Sequence, residues 1–294
     1  MSKVICDLIS KNINKYQICD GIIINSQEYS IFSGKKFSLE ESILLAKKCK
    51  KKNILSFLNV DRIIEESEID NLKNYLLMII DSVDYIIFSD ISLYYLVKTF
   101  NNDFIKKLIF DAKTVIASYE DLSYYKRLGL ECFLNNELNF EEIKEISTKS
   151  DFSFEAYGFH QIFYSKRDLI SLFTQYKEIN NLYKNKKMYL VEETRKDKYL
   201  IYEGDYGTII YTPYIYSMFE EIMLIKNKIN FIRIDGVFLK ENDLIEVVKC
   251  YNELLKSDVK IDQLIERLLS INNNVFKGFL NLKSILLKGK EYEW

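Results

Sequence analysis

The densest group of reactive side chains lies between Asp151 and Ser171, DFSFEAYGFHQIFYSKRDLIS. The apolar run DFSFEAY leads straight into Gly158, His160, Gln161, Tyr164, Ser165, Lys166, Arg167 and Asp168, and His160 is the single histidine of the chain. A strand that runs into a polar turn is how a parallel sheet presents a site at its strand ends. Glu155, Tyr157 and Arg167 are the candidates for catalysis. Glu155 could orient a partner or move a proton, and an arginine could clamp a carboxylate with two hydrogen bonds. The plainer reading of the stretch is a strand followed by a solvated helix.

Polar residues also close other apolar runs: Asn59 and Asp61, Ser89 and Asp90, Asp111, Asn135 and Glu137, and Arg233 with Asp235. In a parallel barrel such ends converge on one face. Asn59, Asp90, Glu137, His160, Tyr164, Ser165, Arg233 and Asp235 are therefore the expected substrate-binding set, suited to a small polar or anionic molecule. Tyr164 could stack or hydrogen-bond. For Asp90 and Asp111 the competing role is capping of the helices that follow. Lys184, Lys186, Lys187, Arg195 and Lys196 cluster downstream and are the candidate phosphate contacts for RNA, against the alternative of a solvated hairpin tip.

Several chemistries find no footing. Ser165 stands near His160, but sequence proximity does not define a triad. No cluster has metal-ligand spacing, and no phosphate loop is present. Cys6, Cys19, Cys49, Cys132 and Cys250 are too scattered for a C-x-x-C pair, and an odd number of separate thiols fits a reducing cytoplasm. No apolar run reaches the roughly 18 residues of a membrane span. A net charge of -2 argues against a freestanding basic nucleic-acid binder, while 41 Lys and Arg leave room for a local patch.

The elements that must position these residues follow a rhythm. Short apolar runs at Lys3–Leu8, Gly21–Asn25, Asn53–Asn59, Asp84–Ser89, Lys107–Phe110, Glu131–Leu134, Asp151–Tyr157 and Asn230–Ile234 alternate mostly with helical stretches. Ser38 with Glu41, Ser118 with Asp121 and Asn139 with Glu142 read as helix-opening boxes. Strands alternating with helices imply parallel crossovers. The expected fold is therefore an α/β protein, a (β/α) TIM-like barrel with a small β-hairpin insertion before the last strand. The barrel would span residues 1–260, the insertion about 185–212, and a helical or extended tail 261–294. Thr212 reads as the cap of a helix with Pro213 at its first position.

Around Gly158, Tyr164, Ser165 and Arg167 the sequence resembles peptidase family U32, the collagenase-like peptidases. That family's signature carries a Glu-led apolar strand, a glycine, a cysteine, an aromatic-serine step and a second cysteine. FLNVDRIIEESEIDNL, DYIIFSD, NNELNFEEI, YLVEETRKDKYLIYEGDYGT and INFIRIDG follow in the family's order, so the resemblance runs from about Asp20 to Leu255. Gln161 and Asp168 stand where the family has its two cysteines. An amide and a carboxylate do not replace thiolate ligands, so the resemblance implies a member without an iron–sulfur cluster. The chain resembles the short member of a pair of homologues in Firmicutes and their wall-less relatives. That pair is implicated in C5 hydroxylation of the tRNA wobble uridine, with prephenate required. The resemblance thus implies tRNA, a cysteine-bearing homologous partner and a prephenate-like small acid. Peptide hydrolysis and a non-catalytic binding role are the other readings.

Overall fold

The computed structural model describes residues 2–180, 183–191, 193, 194, 197–256 and 260–282. Seven parallel strands come first: β1 (Lys3–Asp7), β2 (Gly21–Asn25), β3 (Leu55–Val60), β4 (Tyr85–Phe88), β5 (Leu108–Phe110), β6 (Glu131–Cys132) and β7 (Phe152–Gly158). A separate antiparallel sheet follows, of β8 (Gln161–Ser165), β9 (Met188–Val191), β10 (Lys198–Gly204) and β11 (Gly207–Tyr211), in the order β8-β11-β10-β9. After β12 (Ile215–Ser217), β13 (Ile229–Ile234) inserts between β7 and β1. The order around the main sheet is then β7-β13-β1-β2-β3-β4-β5-β6. A parallel bridge from Phe133 to Ser153, with Leu134 N–H donating to Ser153 O at 3.0 Å, joins β6 to β7. The ring of eight parallel strands is thereby closed.

Helices cover the outside: α1 (Leu39–Lys51), α2 (Ile69–Ile79), α3 (Ser92–Phe100), α4 (Tyr119–Arg127), α5 (Phe140–Lys149), α6 (Leu169–Tyr176) on the small sheet, α7 (Ile222–Ile225), α8 (Glu241–Leu254) and α9 (Ile261–Ile271). Their starts follow the sequence. Ser38 and Glu41 cap each other's backbone at α1, as do Asn139 and Glu142 at α5, while the Ser118 side chain accepts from Asp121 N–H at α4. Beyond α9, β14 (Val275–Phe276) pairs with β12.

Side-chain alternation sorts the barrel interior into layers. Ile5, Ile23, Phe57, Ile87, Ile109, Phe133 and Phe231 form an apolar plug, separate from the larger core beneath the helices. Two residues further along, the same strand face carries Asp7, Asn25, Asn59, Ser89, Asp111, Asn135 and Arg233, with Glu155 joining from β7. A period of two is the geometry of a strand, so the polar layer is stacked directly above the plug.

Two expectations are corrected. Thr212–Pro213 opens no helix. Thr212 Oγ1 donates to Tyr214 O at 2.7 Å, and the chain continues into β12, antiparallel to β7. The edge of β7 at Tyr157 and Gly158 offers Ser217 and Tyr216 backbone partners, and that pairing overrides the local helix signal. Nor is the stretch after Gly158 an irregular polar turn: Gln161–Ser165 is strand β8, bonded to β11. The added sheet thus begins at β8 and has four strands among the described residues, a larger structure than one hairpin.

Candidate functional site

The polar layer is an ionic network at the C-terminal ends of the strands. Arg233, on β13, points its guanidinium at three carboxylates: Asp7 at 3.4 Å, Asp111 at 3.4 Å and Asp235 at 3.7 Å. Lys113, in the loop after β5, lies 2.8 Å from Asp111 and 3.1 Å from Glu155. Its backbone is left-handed, at φ 62°, which turns the side chain back over the barrel mouth. Asn25 donates to Asp7 at 3.0 Å, and Asn59 donates to Asn25 at 2.8 Å and to Asp61 at 3.0 Å. His160 Nε2 stands 3.5 Å from Glu155 Oε1.

Proton affinities follow from this packing. Burial alone would raise Glu155, but the charges of Lys113, His160 and Arg233 win and hold it at about 2. Burial presses His160 down to about 4, against the pull of Glu155, so the imidazole is neutral at neutral pH. For Lys113 the neighbouring Asp111 and Glu155 outweigh burial and raise the ammonium. Burial, and then Asp7 and Glu155, push Asp235 well above the usual carboxylate range.

A cavity of about 330 Å³ opens over this network. Lys113 lies on its wall with the amides of Asn135, Asn136 and Gln161 and the rings of Tyr164, Tyr214, Tyr216 and Phe279. That size is at the lower end of small-molecule sites, roughly 300–1,000 Å³. The entry of β7 into this region depends on Gly158. Its φ is +142°, and a Cβ there would come within 2.5 Å of Asp235 Cβ.

The structure brings together Glu155, His160, Arg233, Asp235 and Asn59. Tyr164 and Glu137 line the cavity, Glu137 at its exposed rim. Tyr157 faces the outer core, its ring 6.3 Å from that of Tyr251 on α8. Arg167 and Ser165 belong to the edge of the small sheet, where Ser165 Oγ accepts from Arg167 N–H at 3.2 Å. Asp90 accepts from Ser92 N–H at 3.0 Å and Ile64 N–H at 2.9 Å, the capping alternative, whereas Asp111 serves the ionic network. Lys184 pairs with Asp168 at 3.3 Å, Lys186 is exposed, and Lys187 lies over the rings of Phe238, Phe159 and Tyr189. Arg195 and Lys196 lie outside the described residues.

Sequence reasoning missed Asp7, Asn25 and Lys113. For the first two the signal was available: KVICD and GIIIN each end in a polar residue, and Asn25 stands in register with Asn59. Nothing local singles out Lys113, whose role depends on a loop conformation.

The donors expected of a metallocluster are not assembled. Gln161 lines the cavity, and Asp168 is engaged by Lys184. The five cysteines are buried. Cys6 and Cys19 meet at 3.4 Å, and Cys49, Cys132 and Cys250 lie on α1, β6 and α8. Among the described residues no group of three or more His, Cys, Asp or Glu could hold a metal ion. The residues present do not fit an iron–sulfur cluster. No helix among the described residues is long and apolar enough to cross a membrane.

Comparison with known proteins gives three findings. The sequence profile of peptidase family U32 matches residues 16–284. A curated relative, tRNA hydroxylation protein P2 of Bacillus subtilis (strain 168), is 27% identical over 277 residues, covering 87% of this chain and 89% of the relative. Among solved structures, the U32 peptidase Mk0906 superposes with a TM-score of 0.48 at 14% identity, covering 80% of this chain and 92% of that one.

Proposed function

Because the chain belongs to peptidase family U32, we propose on that premise that it serves in tRNA hydroxylation, in the cytoplasm where tRNA is found, and not in peptide hydrolysis. The observation that carries this reading is the cavity lined by amides and aromatic rings above a buried ionic network. A flipped base needs that combination: ring faces to stack on and hydrogen-bonding groups for its edge. The name of the Bacillus subtilis relative supports the same chemistry. The finer reading is that the base is the wobble uridine and the reaction is at C5. It includes a homologous cysteine-bearing partner and a prephenate-like acid, while this chain works without a cluster of its own.

The residues have definable work in that setting. Asp111 and Glu155 engage two of the three N–H bonds of the Lys113 ammonium. The third is left for a ligand oxygen at the cavity wall. A cation fixed there stabilises negative charge developing on a pyrimidine carbonyl. Glu155 acts as the orienting group, since a carboxylate held at about 2 stays ionised. Lys184, Lys186 and Lys187 on the added sheet would meet tRNA phosphates.

Peptide hydrolysis lacks an activated nucleophile among the described residues. Burial pushes the thiols of Cys49 and Cys132 up to about 12, and Ser165 Oγ accepts from a backbone N–H. Mass spectrometry of tRNA nucleosides from a strain lacking this protein tests the proposal. Loss of the hydroxylated uridine, restored by the wild-type chain, is expected; an unchanged level overturns it.

A further inference from the structure

Two polar groups on one wall of the cavity are buried without a hydrogen-bond partner: the Tyr216 hydroxyl and His160 Nε2. Tyr216 is 1% exposed and His160 5%, and their rings lie against each other with centroids 4.1 Å apart. Unpaired buried polar atoms are costly and uncommon in folded proteins. Two of them on adjoining rings that line a cavity mark a place where a ligand completes the bonding. Glu221, whose charge acts on Tyr216, pairs with Lys277 through Oε1, while its Oε2 is likewise buried without a hydrogen-bond partner.

The two groups have opposite characters. A phenol hydroxyl can donate. The His160 ring is neutral and interacts with the backbone of Glu155; with its proton on Nδ1, Nε2 is an acceptor. A ligand N–H at Nε2 would also find the Glu155 carboxylate, whose Oε1 is 3.5 Å from Nε2. A donor and an acceptor on adjoining rings match a lactam edge, the adjacent N–H and C=O of a keto pyrimidine.

Charge points the same way. The two cations of the network, Lys113 and Arg233, already face three carboxylates, Asp7, Asp111 and Glu155, beside Asp235, whose proton affinity is raised. Asp61 and Glu137 add further acidic groups to the cavity lining. A free carboxylic acid entering here would meet no uncompensated positive charge. A neutral ring has no such penalty.

We propose that the cavity binds the lactam edge of a neutral keto pyrimidine through His160 Nε2 and the Tyr216 hydroxyl, and that it does not hold a small organic acid. This deepens, and rests on, the reading of the site as one for a tRNA uridine. The test uses the full chain and a short RNA hairpin with one unpaired uridine, beside the same hairpin carrying 3-methyluridine, which lacks the lactam N–H. The uridine hairpin should bind at least tenfold more tightly. Tyr216→Phe should weaken it about tenfold without lowering the thermal unfolding midpoint, because the oxygen removed has no partner. His160→Ala should abolish the discrimination between the two hairpins. Equal binding of both hairpins by the wild-type chain, or no binding of the uridine hairpin, overturns the proposal. So does phenylpyruvate displacing the uridine hairpin from wild-type protein but not from Lys113→Met. These binding results do not depend on hydroxylation. The nucleoside analysis of the deletion strain fails or succeeds separately.

Discussion

Lys113 Nζ and Glu155 Oε2 meet at 3.1 Å across the barrel mouth, one from the loop after β5 and the other from β7. Glu155 is buried, Lys113 reaches it from the cavity wall, and a second carboxylate, Asp111, lies 2.8 Å from the same ammonium. Removing the cation leaves two buried carboxylates without it. Lys113→Met is therefore expected to lower the unfolding free energy by about 3–5 kcal/mol, read from urea denaturation. Glu155→Gln keeps the shape and removes the charge that orients Lys113. In a complemented deletion strain it should cut hydroxylated uridine at least tenfold.

Arg233 faces more carboxylates, Asp7, Asp111 and Asp235, at longer range. Its replacement by Lys retains the charge but not the planar fork that reaches several carboxylates at once. Arg233→Lys should be destabilised by about 1–3 kcal/mol, from the hydrogen bonds it leaves unmade. Denaturant midpoints measured alongside Lys113→Met will rank the two.

Gly158 ends β7 with a left-handed φ and no room for a side chain beside Asp235. Gly158→Ala adds backbone strain worth roughly 1–3 kcal/mol and displaces Asp235 from the network. Both the melting temperature and the uridine preference of the hairpin assay should fall. An alanine variant as stable as the wild type would show that the close approach is relieved without cost.

The single histidine gives a clean pH signature. His160 has an ordinary value of 6.5 but about 4 when folded, chiefly because burial penalises its charged form. The unfolded chain therefore binds a proton first as pH falls, and stability present above about pH 6.5 is lost on the way to pH 4. The loss should be on the order of 3 kcal/mol at its limit. Glu155, held at about 2, adds a further loss only as pH falls below its ordinary 4.5. Asp235, whose proton affinity is raised on folding, acts in the opposite sense over this range, so in His160→Gln the loss between pH 6.5 and 4.5 should disappear and stability should hold or rise as pH falls.

The lysines of the added sheet are expected to act on RNA as a whole rather than on one base. Lys186→Ala together with Lys187→Ala should weaken tRNA binding at low salt and reduce the salt slope by about one per lysine. The uridine preference of the hairpin should remain.

Much of the fold was legible because barrel strands announce themselves twice, by apolar runs and by the polar residue that ends each run. Asn59, Glu155, Arg233 and Asp235 were recognisable as strand-end residues, and capping boxes at Ser38 and Asn139 marked two helix starts. Residues whose partners are remote were harder. Thr212–Pro213 carries a helix-start signal, yet the vacant edge of β7 drew Ile215–Ser217 into a strand.

By itself the sequence determined the alternation of strands and helices, the polar ends of the strands and the absence of cysteine at the signature positions, Gln161 and Asp168. Local periodicity and residue type are enough for those. Only the tertiary structure decided that Arg233 and Lys113 are already met by carboxylates at the ends of β1, β5 and β7. It also decided that Tyr157 turns outward and that Tyr216 and His160 stand together with their polar atoms unpaired. Charge compensation and burial depend on what closes around a side chain, and the pairing of β13 with β1 brings together residues as far apart in sequence as Asp7 and Arg233.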